Sequence, residues 1–469
     1  MRRVALSVSL LLLAGLTVEL PAAELSAGFA EQDITPEVGG KRPVYIAGYG
    51  MNRKATGIHD PIMARAVVLQ DGNQRIALVG VDLVGLQYPA VQAIREELKD
   101  FTYVMVASTH NHEGPDVIGI WGRGPFHRGV DEKYLDLVVK GVVTAVRKAA
   151  ESPVAVQAAF GMAEDESLLG DSRLPYAKDG VLRVLRLNAA GGERPVGLIV
   201  QWNCHPEALG SKNRLLTADF PYATVAKLQE QYDCPVVFLS GAVGGLMAPP
   251  DGRVKNAAGE ELQEGDYEYA RVYGEEVAAL AAKAIGQAEP IKLTPFAVAS
   301  KPVAVPVANS LYRLARAMGV MKREARLWTG DFEALGERVN GENADKPSAI
   351  ETEVACLRLG ELRIACIPGE LYPELVYGKF QEPVEPNTDY PTAPLEPTVA
   401  GIMGNQRWML VGLANDEVGY IIPKRQWDKA EPYAYGKSDG QYGEINSCSP
   451  EVAPILMEAL KRRVLEAGK

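Results

Sequence analysis

The chain has 469 residues and a formal net charge of −11, with 47% hydrophobic and 23% charged residues. That composition is ordinary for a globular protein, and its acidic balance lacks the basic face of a nucleic-acid binder. Five cysteines (Cys204, Cys234, Cys356, Cys366 and Cys448) with no CxxC pair exclude a disulfide framework and argue against a thiolate zinc site.

Residues 1–23 begin MRRVALSVSLLLLAG, with Arg2 and Arg3 before an apolar core and small residues at Ala22 and Ala23. This is the pattern of a secretory signal peptide. Cleavage near Ala23 leaves one domain over 24–469, secreted or periplasmic, with no transmembrane segment after the signal. Next, ARAVVLQDGNQRIALVGVDLVGL reads as two apolar strands around a DGN turn, and PAVQAIREELKD as a helix. The strand FTYVMVAST runs into His110, and a glycine-rich loop with Trp121, Phe126 and His127 follows. DEKYLDLVVKGVVTAVRKAAES is an amphipathic helix with acidic residues at its start.

Strands follow at VAVQAAFGMAE, VLRVLRLN and PVGLIVQWNC, the last running into His205. FPYATVAKLQEQYD is a helix, PVVFLSGAVGG a strand entering a glycine turn, and YEYARVYGEEVAALAAKAIGQA a long acidic helix. A strand at FAVASKPVAVPVA precedes a helical block near 311–339 and a polar loop over 338–349. AIETEVACLRLGELRIACIPGELYPE reads as a hairpin turning at Gly360, then a turn and helix, and one Cys356–Cys366 bridge across it is conceivable. WMLVGLANDEVGYIIP is a strand and loop, and a helix ends the chain. This alternation predicts an α/β fold.

The chain has five histidines: His59, His110, His112, His127 and His205. Three stand where an apolar strand gives way to a loop, and sites in α/β sheets gather at strand ends. On a strand, His110 and His112 share a face. His205, Glu370 and Tyr420 occupy comparable positions. Two or three neutral imidazoles with a carboxylate suit a divalent ion such as zinc. Glu113, Asp116, Asp60 and Asp219 are candidates for a second metal, though one zinc per chain ranks first.

Several stretches resemble, in order, the catalytic domain of neutral/alkaline non-lysosomal ceramidases. They are ITPEVG, AGYG, HDPIMARAVVL, ASTHNHEGP (the family's HTHSGP), LLGDSRLPY, WNCHPEAL, FLSGAVGGLM, IPGELYPE and GLANDEVGYIIP. The resemblance implies multi-layered mixed β-sheets flanked by helices, and a zinc-dependent hydrolase of the linear amide of ceramide, giving sphingosine and a fatty acid. It implies zinc ligands at His110, His205, Glu370 and Tyr420, a substrate-contacting His112, and an arginine near the substrate at Arg173. The family's nucleophilic serine lies in a turn of the form GD-apolar-SPN. Here that turn reads Gly244, Gly245, Leu246, Met247, Ala248, Pro249, with Met247 at the serine position and Gly245 at the acidic one. A thioether cannot act as an oxygen nucleophile. The family's smaller C-terminal β-rich domain has no counterpart in the matched stretches.

Three readings follow. The first is a zinc hydrolase that uses metal-activated water on an amide or ester, with His112 moving the proton, Tyr420 binding zinc or stabilising an oxyanion, and Arg173 binding a polar group of the substrate. The second is a true ceramidase whose nucleophile lies elsewhere, with Ser240 and Cys204 nearby. The third is a non-catalytic zinc-containing binding protein.

Overall fold

The computed structural model describes residues 25–379 and 382–468, so the expected signal peptide lies outside the described residues. The first half of the chain contains β1 (Ser26–Asp33), β2 (Gly57–Ile58), β3 (Met63–Asp71), β4 (Gln74–Val81), α1 (Tyr88–Glu97), β5 (Tyr103–Ser108), α2 (Glu132–Glu151), β6 (Val154–Glu164), β7 (Val181–Ala189), β8 (Pro195–Trp202), β9 (Leu215–Leu216), α3 (Phe220–Tyr232) and β10 (Val236–Ser240). The second half contains α4 (Tyr267–Gly286), β11 (Glu289–Ile291), β12 (Phe296–Pro306), α5 (Ser310–Ala317), β13 (Arg326–Leu327), β14 (Ser348–Leu359), β15 (Leu362–Cys366), β16 (Glu370–Leu371), α6 (Glu374–Tyr377), α7 (Val399–Met403), β17 (Arg407–Val411), β18 (Tyr420–Ile421) and α8 (Val452–Ala467).

Among the described residues the larger sheet runs β10-β8-β7-β6-β1-β3-β4-β5, with β11 on β6, and the smaller runs β12-β14-β15-β17, with β13 on β14. The two sheets pack face to face through one core. Leu78 of β4, Met105 of β5 and Leu239 of β10 meet Leu357 of β14, Ile364 of β15 and Met409 of β17 there. Helices cover the outer faces. Val138, Val142 and Val146 of α2 pack on Val79 and Val106, Leu228 of α3 and Val277 of α4 on Val184 and Val200, and Leu456 and Leu460 of α8 on Val354. The result is a four-layer α/β/β/α sandwich, the expected class.

Burial on both faces explains the continuous apolar runs. Every residue of β5 is buried, as in strands covered on both sides, and each large apolar side chain so buried contributes about 1.5–3 kcal/mol.

Parallel pairing sets up the site. β4 runs parallel to β5, β8 to β10, and β15 to β17. The carboxyl ends of these pairs are tied together: Gly412 N donates to Ser240 O at 2.9 Å, and Ser108 N to Leu413 O at 3.3 Å. The loops leaving β5, β8, β10, β15 and β17 therefore open at one place.

Two expectations are corrected. The helical block near 311–339 shortens to α5, because Gly319 turns left-handed at φ 71° and Arg326 pairs with Ala349 on the edge of β14. The Cys356–Cys366 bridge does not form. Cys356 pairs with Ala365 and Cys366 with Ala355, so the thiols face opposite sides of the sheet. Cys356 enters the α8 core and Cys366 the core between the sheets.

Candidate metal and active site

His110 and His112 do not lie on the strand. β5 ends at Ser108, and His110 takes a left-handed backbone at φ 66°, a conformation that costs a non-glycine residue on the order of 1 kcal/mol and clusters at functional sites. That turn, not strand alternation, brings their rings to 4.7 Å. Arg53 braces the loop from below, donating to the His112 carbonyl and, at 2.8 Å, to Glu113 Oε2.

His110 Nδ1 lies 2.6 Å from the Val84 carbonyl, and His205 Nδ1 lies 2.9 Å from the Met247 carbonyl. A carbonyl only accepts, so each Nδ1 carries the proton and each Nε2 is turned inward. Both Nε2 atoms point at one oxygen, Glu370 Oε2, at 3.2 Å from His110 and 3.0 Å from His205. Outer partners on Nδ1 that fix the tautomer are what metal-binding histidines require. His112 Nε2 lies 3.1 Å from His110 Nε2. Among the described residues, His110, His112 and His205 form one group able to hold an ion, and His110, Glu370 and Glu417 another. The donor set fits a divalent cation.

Glu370 opens β16 and is register-paired with Tyr420 at the start of β18. Tyr420 is buried, with its ring 6.4 Å from that of His205. Burial and the nearby Glu370 charge push its phenol well above the ordinary value, so it stays protonated at neutral pH. Burial opposes the charge on Glu370, but His110 and His205 override it and hold the carboxyl well below its usual range. The same contest runs the other way at His110. Burial lowers its pKa, Glu370 raises it, and the balance stands at about 9. At His112 burial wins over Glu207, whose Oε1 lies 3.0 Å from Nδ1 but off the hydrogen-bond line, and the pKa falls to about 4.

Part of this cluster lines a cavity of about 450 Å³. His110, His112, Glu370, Glu417 and Tyr420 form its polar wall, and Val84, Ile118, Ile120, Trp121 and Met321 an apolar one. Trp121 joins the pocket as the loop suggested, whereas Phe126 and His127 are not among its lining residues. His127 contacts Arg123 at 2.7 Å instead.

Arg173 does not reach the cavity. Its guanidinium is buried and binds Glu444 through both terminal nitrogens, at 3.0 and 2.8 Å. It also donates to the carbonyls of Tyr442 and Gln426. Tyr442 lines the pocket, so Arg173 touches the wall from behind.

In the turn after β10, Met247 stands where the resemblance placed a serine. Met247 is fully buried among α3 and α4 residues, facing away from the pocket. Its carbonyl accepts from both His205 N (2.8 Å) and His205 Nδ1. Gly244 must be glycine there, since a Cβ would lie 2.4 Å from the Tyr372 ring and 2.7 Å from the Glu370 carbonyl. Neither neighbouring nucleophile substitutes. Ser240 Oγ donates to the Thr109 carbonyl at 2.7 Å, and Cys204 is buried in the α3/α4 core.

The four carboxylates considered for a second metal are spent on structure. Glu113 pairs with Arg53 and Asn213, and Asp116 accepts from the amides of Ile118, Gly119 and Trp121. Asp60 accepts from Thr217 and Ala218, and Asp219 caps α3 through Phe220 N. Sequence reasoning overlooked Glu207 and Glu417. The only local signal for either was an acidic residue beside a candidate ligand.

The fold defines the chain's class. Its fold is that of neutral ceramidases. It is similar to the neutral ceramidase from Pseudomonas aeruginosa at 18% identity, with a TM-score of 0.68 over 94% of this chain and 74% of that one. It is likewise similar to a ceramidase complexed with C2, at 17% identity and a TM-score of 0.66, over 94% of this chain and 75% of the other. Residues 25–234 match the N-terminal domain of the neutral/alkaline non-lysosomal ceramidases, which bears out the resemblance read from the motifs. No helix among the described residues is long and apolar enough to cross a membrane.

Proposed function

We propose that this chain is a secreted, zinc-dependent hydrolase of the neutral ceramidase type that cleaves an amide or ester bond without a serine nucleophile. The observation that carries the proposal is the convergence of His110 Nε2 and His205 Nε2 on Glu370 Oε2 at the wall of a half-apolar cavity. Zinc bound to these groups would polarise a substrate carbonyl and bring water to a reactive state near neutral pH.

The chain's own residues take the remaining roles. His112, neutral at pH 7, accepts a proton at Nε2 beside the donor cluster and returns it to the leaving group. Tyr420, as a fourth zinc ligand or a hydrogen-bond donor, stabilises charge developing on the carbonyl oxygen. Arg173 acts on the pocket through Tyr442, as a positioning residue. The apolar wall of Val84, Ile118, Ile120 and Trp121 excludes water and receives an apolar portion of the substrate.

The test is metal content of the purified chain beside His110→Ala/His205→Ala, followed by a screen of amides and esters. About one zinc per chain in the wild type, lost in the double variant together with hydrolysis, supports the reading. A wild type that binds no metal overturns it. A second reading, cleavage of ceramide or another N-acyl lipid, is favoured by the apolar wall, and ceramide belongs in the same screen. Metal binding with no hydrolysis anywhere in the screen favours a zinc-containing binding protein.

A further inference from the structure

Glu417, in the loop between β17 and β18, was not part of the expected ligand set, yet its carboxylate meets the same histidine. The donor atoms of His110, Glu370 and Glu417 all lie within 4.8 Å of one another. Glu417 Oε1 is fixed by Gly419 N, which donates to it at 2.6 Å. Its Oε2 is buried with no hydrogen-bond partner, and the residue lines the cavity. The chain makes room for it at Gly85, where a Cβ would lie 2.6 Å from Glu417 Cβ.

Two carboxylates crowd one imidazole, and His110 and His205 are the partners of Glu370. Among the described residues, no lysine or arginine forms an ion pair with Glu370 or Glu417, and the nearby Arg323 is held by Asp416. A carboxylate held at one oxygen by a backbone amide, with the other oxygen buried and unpartnered beside a histidine, is arranged to bind a cation.

We propose that Glu417 is itself a metal ligand, so that the ion is held by two imidazoles and two carboxylates: His110, His205, Glu370 and Glu417. The inference rests on the metal reading above and deepens it. Two carboxylates balance a divalent charge, and the added hard oxygen broadens the site from zinc toward manganese and cobalt. Tyr420 then stands beside the ion as a neutral phenol and hydrogen-bond donor.

The experiment uses the full chain, stripped with a chelator and titrated calorimetrically with Zn2+ and Mn2+, with the visible spectrum of the Co2+ form recorded alongside. Glu417→Gln keeps an acceptor for Gly419 N and is nearly isosteric. It is expected to weaken Zn2+ binding by about tenfold or more, to abolish measurable Mn2+ binding and to alter the Co2+ spectrum. Glu417→Asp retains the charge and provides the comparison should the amide fail to fold, with an intermediate affinity expected. Wild-type affinity and an unchanged Co2+ spectrum in both Glu417 variants overturn this inference and leave the metal reading standing. A wild type that binds none of the three ions overturns both.

Discussion

The carbonyl of Met247 accepts two hydrogen bonds from His205, from its backbone N at 2.8 Å and from its ring Nδ1 at 2.9 Å. The turn in which the resemblance placed a serine therefore shapes this site through its backbone. Its side chain at that position belongs to the core.

Met247→Ser tests that division of labour. The hydroxyl would sit in the apolar α3/α4 cluster, so it should lower stability by roughly 2–4 kcal/mol through lost packing and an unpaired polar group. It should not create or raise hydrolysis. Denaturant melts and turnover of the variant check both, and a gain in rate would mean that the side chain can reach the pocket.

Arg173 and Glu444 form a buried pair with both terminal nitrogens engaged. Removing one partner strands the other charge. Arg173→Ala should therefore cost about 3–5 kcal/mol in unfolding free energy, and Arg173→Lys should recover only part, since lysine cannot span both oxygens. If the arginine instead contacts substrate, the lysine variant will keep wild-type stability and show a raised KM.

Protonation of His112 gives a pH signature in the metal-free protein. Its folded-state pKa is about 4, below the ordinary value of about 6.5. Between those values the unfolded chain binds more protons, so His112 makes stability rise with pH across the window and fall away on acidification through it. His112→Gln should flatten the slope of unfolding free energy between about pH 4 and 6.5. An unchanged slope would mean that the imidazole is charged in the folded chain.

Thiol chemistry offers a simple check of the sheet register. All five cysteines are free and buried. A thiol reagent should find almost no reactive group in the native protein and five after denaturation without reductant. Three would indicate a disulfide and contradict the opposed orientation of Cys356 and Cys366.

The sequence by itself determined the layers and the ligand candidates. Apolar runs such as Tyr103–Ser108 announce strands buried on both faces because strand geometry is local. The residues that end them, His110, His205 and Glu370, could be named as donors from residue type and position. Their convergence on one oxygen could not, because it depends on parallel pairing between strands far apart in sequence. Arg173 looked available until Glu444, 271 residues away, was found to bind it. Met247 looked like a lost nucleophile, and only the folded chain shows its carbonyl fixing His205. Glu417 was one acidic residue in a loop until the turn at Gly419 and the space beside Gly85 brought it near His110. These are long-range contacts, several through backbone atoms that every residue shares, so side-chain identity carries almost no sign of them.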